Sequence, residues 1–210
     1  NELVNKFPLL RVSFFEHPTK ELISKLKNKH LDLIIAATPL EDDELIEKPI
    51  YYEPFIAYLP ITNPHFGKSE ISPSDLYSND LLLLKDGNCF RNSIENLCFD
   101  CNEYKGRFDI KSGNFETLIN LVDRGLGMTF LPYLHTLRLN DSQKKMLHEF
   151  KNPKPSREIS VVYHKNEVKI HIINEIKDLL KNLTKIKLQF NDVNIISPLK
   201  NREAARLLEN

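Results

Sequence analysis

Short apolar runs alternate with amphipathic segments along the chain, and this alternation predicts its secondary structure. The extended run Leu9–Phe15 precedes a segment of helical periodicity that begins near Thr19 and carries apolar residues as far as Leu26. Leu31–Ala36 then has the composition of a buried strand. Thr19 stands where a side-chain hydroxyl would cap the helix. Strand, helix and strand in this order are typical of a parallel sheet.

A second group of elements follows Pro54–Leu59, which we interpret as a strand that crosses into a second subdomain. Three strands and two helices are predicted within that subdomain. The strands are Leu81–Leu84, Phe108–Ile110 and Met128–Leu131; one helix follows the first strand and contains cysteines, and the other begins at Asn114 and ends before Gly125. Arg157–Tyr163 predicts the return crossing, and a long amphipathic helix follows over about 167–183. The pattern indicates an α/β protein of two Rossmann-like subdomains joined by two crossover strands.

Composition limits the functions open to this chain. Its 29 basic and 29 acidic side chains give zero formal charge, whereas duplex DNA binding rests on clustered cations. We see no helix-turn-helix pattern, so we do not expect this chain to contact DNA itself. Nothing resembles a signal peptide or a membrane span, and three cysteines fit reduced thiols, so we expect a cytoplasmic protein without membrane contact.

The segment from Leu81 to Cys101 carries the candidate chemistry. A turn at Asp86-Gly87 follows the apolar run, and Cys89 then stands at the start of a helical segment that continues to Cys98. Unpaired backbone N–H groups and the helix dipole favour a thiolate there, and Arg91 adds positive charge. The plainer alternatives are that Cys89 is a small core residue and Arg91 a solvated helix charge.

Cys98 and Cys101 form a C-x-x-C pair, which we do not interpret as a metal site. A structural zinc site needs a second pair or nearby histidines, and no histidine is close in the sequence. A thioredoxin-like motif would stand at the start of a helix rather than late in it. Cys101 is then an exposed thiol or a competing partner for Cys98, and we expect no metal and no cofactor.

Gly87-Asn88-Cys89-Phe90-Arg91, followed by Cys98, resembles the redox loop of the peroxide-sensing OxyR members of the LysR-type transcriptional regulators. Two further stretches, Phe7–Asp32 and Glu116–Pro132, resemble the wider LysR-type effector domain, whose fold is similar to periplasmic binding proteins. The chain departs from the OxyR pattern at Asn88, where that family has a histidine.

The resemblance implies that this domain senses hydrogen peroxide through a reversible disulfide, with Cys89 as the peroxidatic and Cys98 as the resolving cysteine. Nine residues of helix rise about 13 Å, whereas a disulfide needs Cα atoms within about 7 Å. The helix must therefore open before the bond can form. The ligand-binding residues that the resemblance implies are Thr19, Asn88, Arg91 and Ser197.

The resemblance also implies partners and a chain order. It implies a homodimer or tetramer, no enzymatic activity, and DNA contact only through an N-terminal helix-turn-helix domain absent from this chain. The family's first strand and helix are not found at the start of the chain. Asp192–Ile196 predicts a strand and Arg202–Leu208 a helix that could replace them.

We therefore assign residues 1–57 and 158–210 to the first subdomain and residues 58–157 to the second, which carries the redox loop. In this arrangement 190–210 supply the first strand and helix of the first subdomain, and Val193–Ile196 pairs in parallel with both Leu9–Phe15 and Leu31–Ala36. The alternative is an unrelated tail or a vector remnant.

Two other functions are open. In the first, a small molecule binds a LysR-type effector domain near Thr19, Thr38 and Ser112, and the cysteines are passive. In the second, the chain is a thiol peroxidase that turns over, although no feature for docking a reductant is evident.

Overall fold

A computed structural model of the chain describes residues 2–76, 80–97, 108, 110–185 and 192–199. The helices are α1 Glu2–Lys6, α2 Thr19–Lys27, α3 Cys89–Leu97, α4 Phe115–Asp123, α5 Tyr133–Thr136, α6 Asp141–Lys144 and α7 Ile170–Lys185, with a 3₁₀ turn at Pro73–Leu76. The strands are β1 Ile34–Thr38, β2 Leu45–Tyr58, β3 Glu70–Ile71, β4 Thr129–Pro132, β5 Leu147–Phe150, β6 Lys154–His164 and β7 Val193–Ile195.

The chain divides into two compact units, Asn1–Tyr51 with Glu158–Gln189 and Tyr52–Arg157 with Phe190–Asn210. Strands β2 and β6 each run from one unit into the other. The prediction of an α/β protein with two subdomains joined by two crossover strands is therefore confirmed.

The first unit is built on β1 and the second half of β6. The two strands pair antiparallel, with Ile34 opposite Val162. Helix α2 covers them because its apolar stripe ends in Leu26, which is completely buried in a core with both residues. The prediction that Thr19 caps this helix is wrong. Pro18 occupies the cap position and no side chain makes a cap hydrogen bond, so Thr19 is the first helical residue instead.

The predicted strand Leu9–Phe15 is not formed. The segment has no strand assignment, and its apolar side chains face outward, with Leu9 97% and Phe14 91% exposed. A strand is stabilised by hydrogen bonds to a neighbouring strand, and β1 pairs with β6 rather than with this segment. The apolar composition of Leu9–Phe15 is therefore not enough to form a strand, because the segment has no partner strand among the described residues.

The second unit has the larger core, around the end of β2. Phe55–Tyr58 pairs antiparallel with β4, and Ala57 and Tyr58 also pair with β5, which lies parallel to β3. Tyr58 is completely buried and its hydroxyl donates to Asp123 at the end of α4. Burial, followed by this hydrogen bond, holds the pKa of Tyr58 well above its usual range, so the phenol stays a donor.

Leu81, Leu82 and Leu84 of the predicted strand are buried, and Leu83 is half-buried. Among the described residues, this run makes one bridge, between Leu81 and Met128, rather than a full strand. Gly127 allows this close approach. A Cβ atom at Gly127 would lie 2.1 Å from the Asp80 carbonyl oxygen, and its φ of +151° is one that side-chain-bearing residues rarely adopt. Gly127 therefore allows the segment that leads to α3 to pack closely against the start of β4.

The strand predicted near the end of the chain forms as β7, but its partner differs from the prediction. Val193–Ile195 pairs in parallel with Lys154–Ser156 of β6, in the second unit. It pairs neither with Leu9–Phe15, which forms no strand, nor with β1. The predicted helix Arg202–Leu208 lies outside the described residues.

A buried ion pair joins the two crossover strands within the second unit. Arg157 donates from Nη2 at 2.7 Å and from Nε at 2.9 Å to Oε2 of Glu53, whose side chain is only 2% exposed. The other Glu53 oxygen accepts from the backbone N–H of Leu134 at 2.8 Å. Such a pair is costly to break, because the remaining charge is left buried without a partner.

We expect Glu53→Gln to lower the free energy of unfolding by about 3 kcal/mol, since Arg157 then loses its counter-charge. Lys68→Ala is the control in the same unit, because Lys68 pairs with Asp75 while its side chain is 45% exposed. It should cost less than about 1 kcal/mol. Urea unfolding of both variants measures the difference, and equal costs would contradict this assignment.

Candidate functional site

Cys89 is the first residue of α3 and is half-buried. The chain reaches it through Gly87, whose φ of +80° makes the turn that the sequence predicted. Oδ1 of Asn88 accepts a hydrogen bond from the Phe90 N–H at 2.9 Å. Asn88 therefore caps the helix and satisfies one of its free N–H groups, a role that its predicted ligand binding did not include.

Phe90 fixes the first turn of α3 to the core. Its ring lies edge-on to Phe55 and Phe115, with centroid distances of 5.2 and 5.0 Å. The guanidinium carbon of Arg157 lies 5.2 Å from the Phe90 ring centre. These contacts hold Phe90, the residue after Cys89, firmly in the core of the second unit. Ile94, one helical turn further on, is also buried there.

Arg91 has partners other than the ones the sequence suggested. Its Nε lies 2.7 Å from Glu95 and 3.2 Å from Asp86, and its Nη1 donates to the Leu84 carbonyl at 2.9 Å. Two carboxylates therefore share the charge that was expected to support the thiolate. The guanidinium also ties the loop before Cys89 to the helix that follows it.

Ser197, in the short segment after β7, lies against α3. Its backbone carbonyl accepts from the Asn96 side chain at 2.9 Å and from the Ser93 hydroxyl at 3.3 Å. Its own hydroxyl accepts from the Leu199 N–H at 3.2 Å. The structure thus brings Ser197 to the cysteine helix through its backbone.

Of the remaining predicted site residues, Thr19 belongs to the first unit. Cys98 and Cys101 lie outside the described residues. The ligand-binding roles of Thr19, Asn88, Arg91 and Ser197 stay predictions.

Two hydroxyl groups considered for an effector site have protein partners. Thr38 is completely buried, where its hydroxyl lies 2.7 Å from both Glu158 and Ser160. Ser112 donates to Thr117 and accepts the Asn114 N–H ahead of α4. Both hydroxyl groups therefore make hydrogen bonds to protein groups within their own units.

The sequence analysis did not identify the polar side chains of α3 that contact residues 197–199. They are Asn92, Ser93 and Asn96. Ser93 is fully buried, although a serine in an amphipathic helix is ordinarily placed on the solvent side. Their spacing in the sequence could have predicted this polar face, because residues three or four apart lie on one face of a helix.

Over the described ranges no cluster of metal-ligating side chains occurs. Nor is any described helix long and apolar enough to span a membrane.

The family model of the LysR substrate binding domain matches residues 1–184. The chain belongs to this LysR domain family. The hydrogen peroxide-inducible genes activator of Haemophilus influenzae is 33% identical over 159 residues, 75% of this chain and 52% of that protein. The transcriptional dual regulator OxyR of Escherichia coli is 29% identical over 157 residues, 75% of this chain and 51% of that protein.

Solved structures agree with the family. OxyR from Porphyromonas gingivalis superposes with a TM-score of 0.82 at 24% identity, covering 93% of this chain and 90% of that one. The reduced OxyR regulatory domain of Pseudomonas aeruginosa gives 0.73 at 25% identity, covering 87% and 86%. This LysR-family chain spans about half the length of the two relatives named above, and both are transcriptional regulators rather than enzymes.

We expect Asn88→Ala to lower the free energy of unfolding of this LysR-family domain by about 1 kcal/mol, because the Phe90 N–H loses its acceptor. Asn88→Ser is the matched control, since serine caps helices about as well as asparagine. Urea unfolding monitored by circular dichroism measures both variants. Equal effects of alanine and serine would contradict the capping role.

Proposed function

We propose that the chain is the peroxide-sensing regulatory domain of a LysR-type transcription factor. The observation that carries the proposal is the position of Cys89 as the half-buried first residue of a helix that Phe90 anchors to the core. Reactive cysteines are commonly found at helix N-termini, and the thiolate is the form of a cysteine that reacts. Relatives named as hydrogen peroxide-inducible activators support peroxide as the oxidant.

In the first step the Cys89 thiolate attacks one oxygen of hydrogen peroxide. The S–O bond forms as the O–O bond breaks, and the leaving hydroxide takes up a proton to become water. The sulfur is oxidised by two electrons to a sulfenic acid, and the peroxide is reduced. Asn88 replaces the histidine of the family pattern, and its amide Nδ2 remains a donor that could hold the peroxide, since Oδ1 is used by the cap.

In the second step the Cys98 thiol attacks the sulfenic sulfur. The S–S bond forms, the S–O bond breaks, and the hydroxide leaves with the thiol proton as water. Helix α3 covers Cys89–Leu97, so the first eight of the nine steps to Cys98 are helical and span about 12 Å. Because a disulfide brings two Cα atoms within about 7 Å, α3 must open before this bond forms.

Opening of α3 provides the switch. Phe90, Ile94 and Leu97 pack against the core of the second unit, and the disulfide would pull part of this helix away from it. The surface of the domain then changes, and with it the way that subunits associate. In a LysR-type regulator that contains this chain as its regulatory domain, a DNA-binding domain would respond to this change.

The decisive experiment is oxidation of the reduced chain with near-stoichiometric hydrogen peroxide, followed by alkylation and peptide mass spectrometry. We expect a Cys89–Cys98 bridge that is absent in Cys89→Ser. Cys98→Ser should instead accumulate a Cys89 sulfenic acid that dimedone traps.

Cys101→Ser is the matched control and should bridge like the parent chain. Slow oxidation spread over all three cysteines would contradict the sensor. Together with a ligand-dependent rise in the unfolding temperature, it would favour the effector-binding alternative.

A further inference from the structure

We propose that the segment Ile196–Leu199, which we name the latch, holds helix α3 closed and so sets how fast Cys89 and Cys98 can bond. This inference rests on the proposed function. The chemistry of the thiol and the opening of the helix are separate steps, and the latch acts on the second. Asn92, Ser93 and Asn96 are then positioning residues, since they act through the helix rather than on the reacting sulfur.

The side chains of α3 donate hydrogen bonds to three successive carbonyls of the latch. Nδ2 of Asn96 donates to the Leu199 carbonyl at 2.6 Å and to the Ser197 carbonyl at 2.9 Å. Nδ2 of Asn92 donates to the Pro198 carbonyl at 3.1 Å. The helix thus offers two side-chain amide groups as donors to a backbone segment about 100 residues away in sequence.

The hydroxyl of Ser93 joins the latch to the reactive residue. It lies 3.2 Å from the Cys89 carbonyl and 3.3 Å from the Ser197 carbonyl, and it is completely buried. One hydroxyl hydrogen is therefore shared between the backbone of Cys89 and the backbone of the latch. Opening the first turn of α3 disturbs both contacts together.

The latch is itself anchored, so it can resist movement of the helix. The Ile196 N–H donates to the Ser156 carbonyl at 2.8 Å, which extends the β6–β7 pairing, and the Ile196 side chain packs against the core. Pro198 is buried. The hydrogen bond to Ser156 does not involve α3, so it can hold the latch in place when the helix opens and the latch carbonyls lose their donors.

Intrinsic helix propensity and the hydrogen bonds to the latch predict opposite effects of an alanine substitution in α3. Alanine is a better helix former than asparagine, so Asn96→Ala on an isolated helix would make opening rarer. Loss of two hydrogen bonds to the latch has the opposite effect and is the larger one. The two explanations therefore predict opposite signs for the same substitution.

The test measures the two oxidation steps separately. We expect Asn96→Ala to speed Cys89–Cys98 disulfide formation about tenfold, and Asn92→Ala, which loses one bond, about twofold. These rate increases are expected when α3 recloses faster than the two sulfurs bond. The rate of disulfide formation is then proportional to the fraction of molecules in which α3 is open. Sulfenic acid formation, followed by dimedone trapping in the Cys98→Ser background, should be unchanged.

Asn120→Ala is the matched control, because Asn120 is an exposed asparagine inside α4 of the same unit. It should leave both rates unchanged. Circular dichroism and thermal unfolding show whether each variant is folded, and Asn92→Ala carries the test if Asn96→Ala does not fold.

A disulfide that forms in Asn96→Ala at the parent rate or more slowly would overturn the latch. The proposed function would then stand, because the parent chain still bridges. If the parent chain forms no Cys89–Cys98 bridge, the proposed function itself fails.

Discussion

Phe90 packs edge-on against Phe55 and Phe115, and this aromatic contact fixes the start of α3 to the core of the second unit. The function proposed for the segment depends on that anchor. It presents Cys89 at the start of the helix, and it keeps the following residues helical. In the proposed function, the same packing would position the first sulfur for reaction and delay its bonding to the second.

The stability of α3 is divided among contacts of different kinds. Asn88 caps its start, Arg91 bonds it to the preceding loop, and Asn96 bonds it to the latch, Ile196–Leu199. Each polar contact is worth on the order of 1 kcal/mol, so losing them together is less costly than unfolding a domain. A helix held in this way can open locally while the core around Tyr58 and Phe130 stays folded.

The sequence predicted elements whose signal is local. The amphipathic helices α2, α3, α4 and α7 were located to within a few residues, because apolar periodicity and glycine turns are properties of a short window. The strand Leu9–Phe15 and the partner of β7 were predicted wrongly, because strand pairing depends on which distant segment is available. In the site, Cys89 was recognisable from its turn and helix start, whereas the carbonyls facing Asn96 come from about 100 residues away and leave no local trace.

Amide hydrogen exchange within α3, measured on the parent chain before and after oxidation, tests the account most directly. In the reduced protein, the amides of residues 93–97 should be protected, since each would bond to a carbonyl four residues earlier in the helix. Once the Cys89–Cys98 bridge has formed, that protection should be lost while the amides of α4 keep theirs. A bridge that forms with α3 still fully protected would contradict the account, because the helix would then not be what separates the two sulfurs.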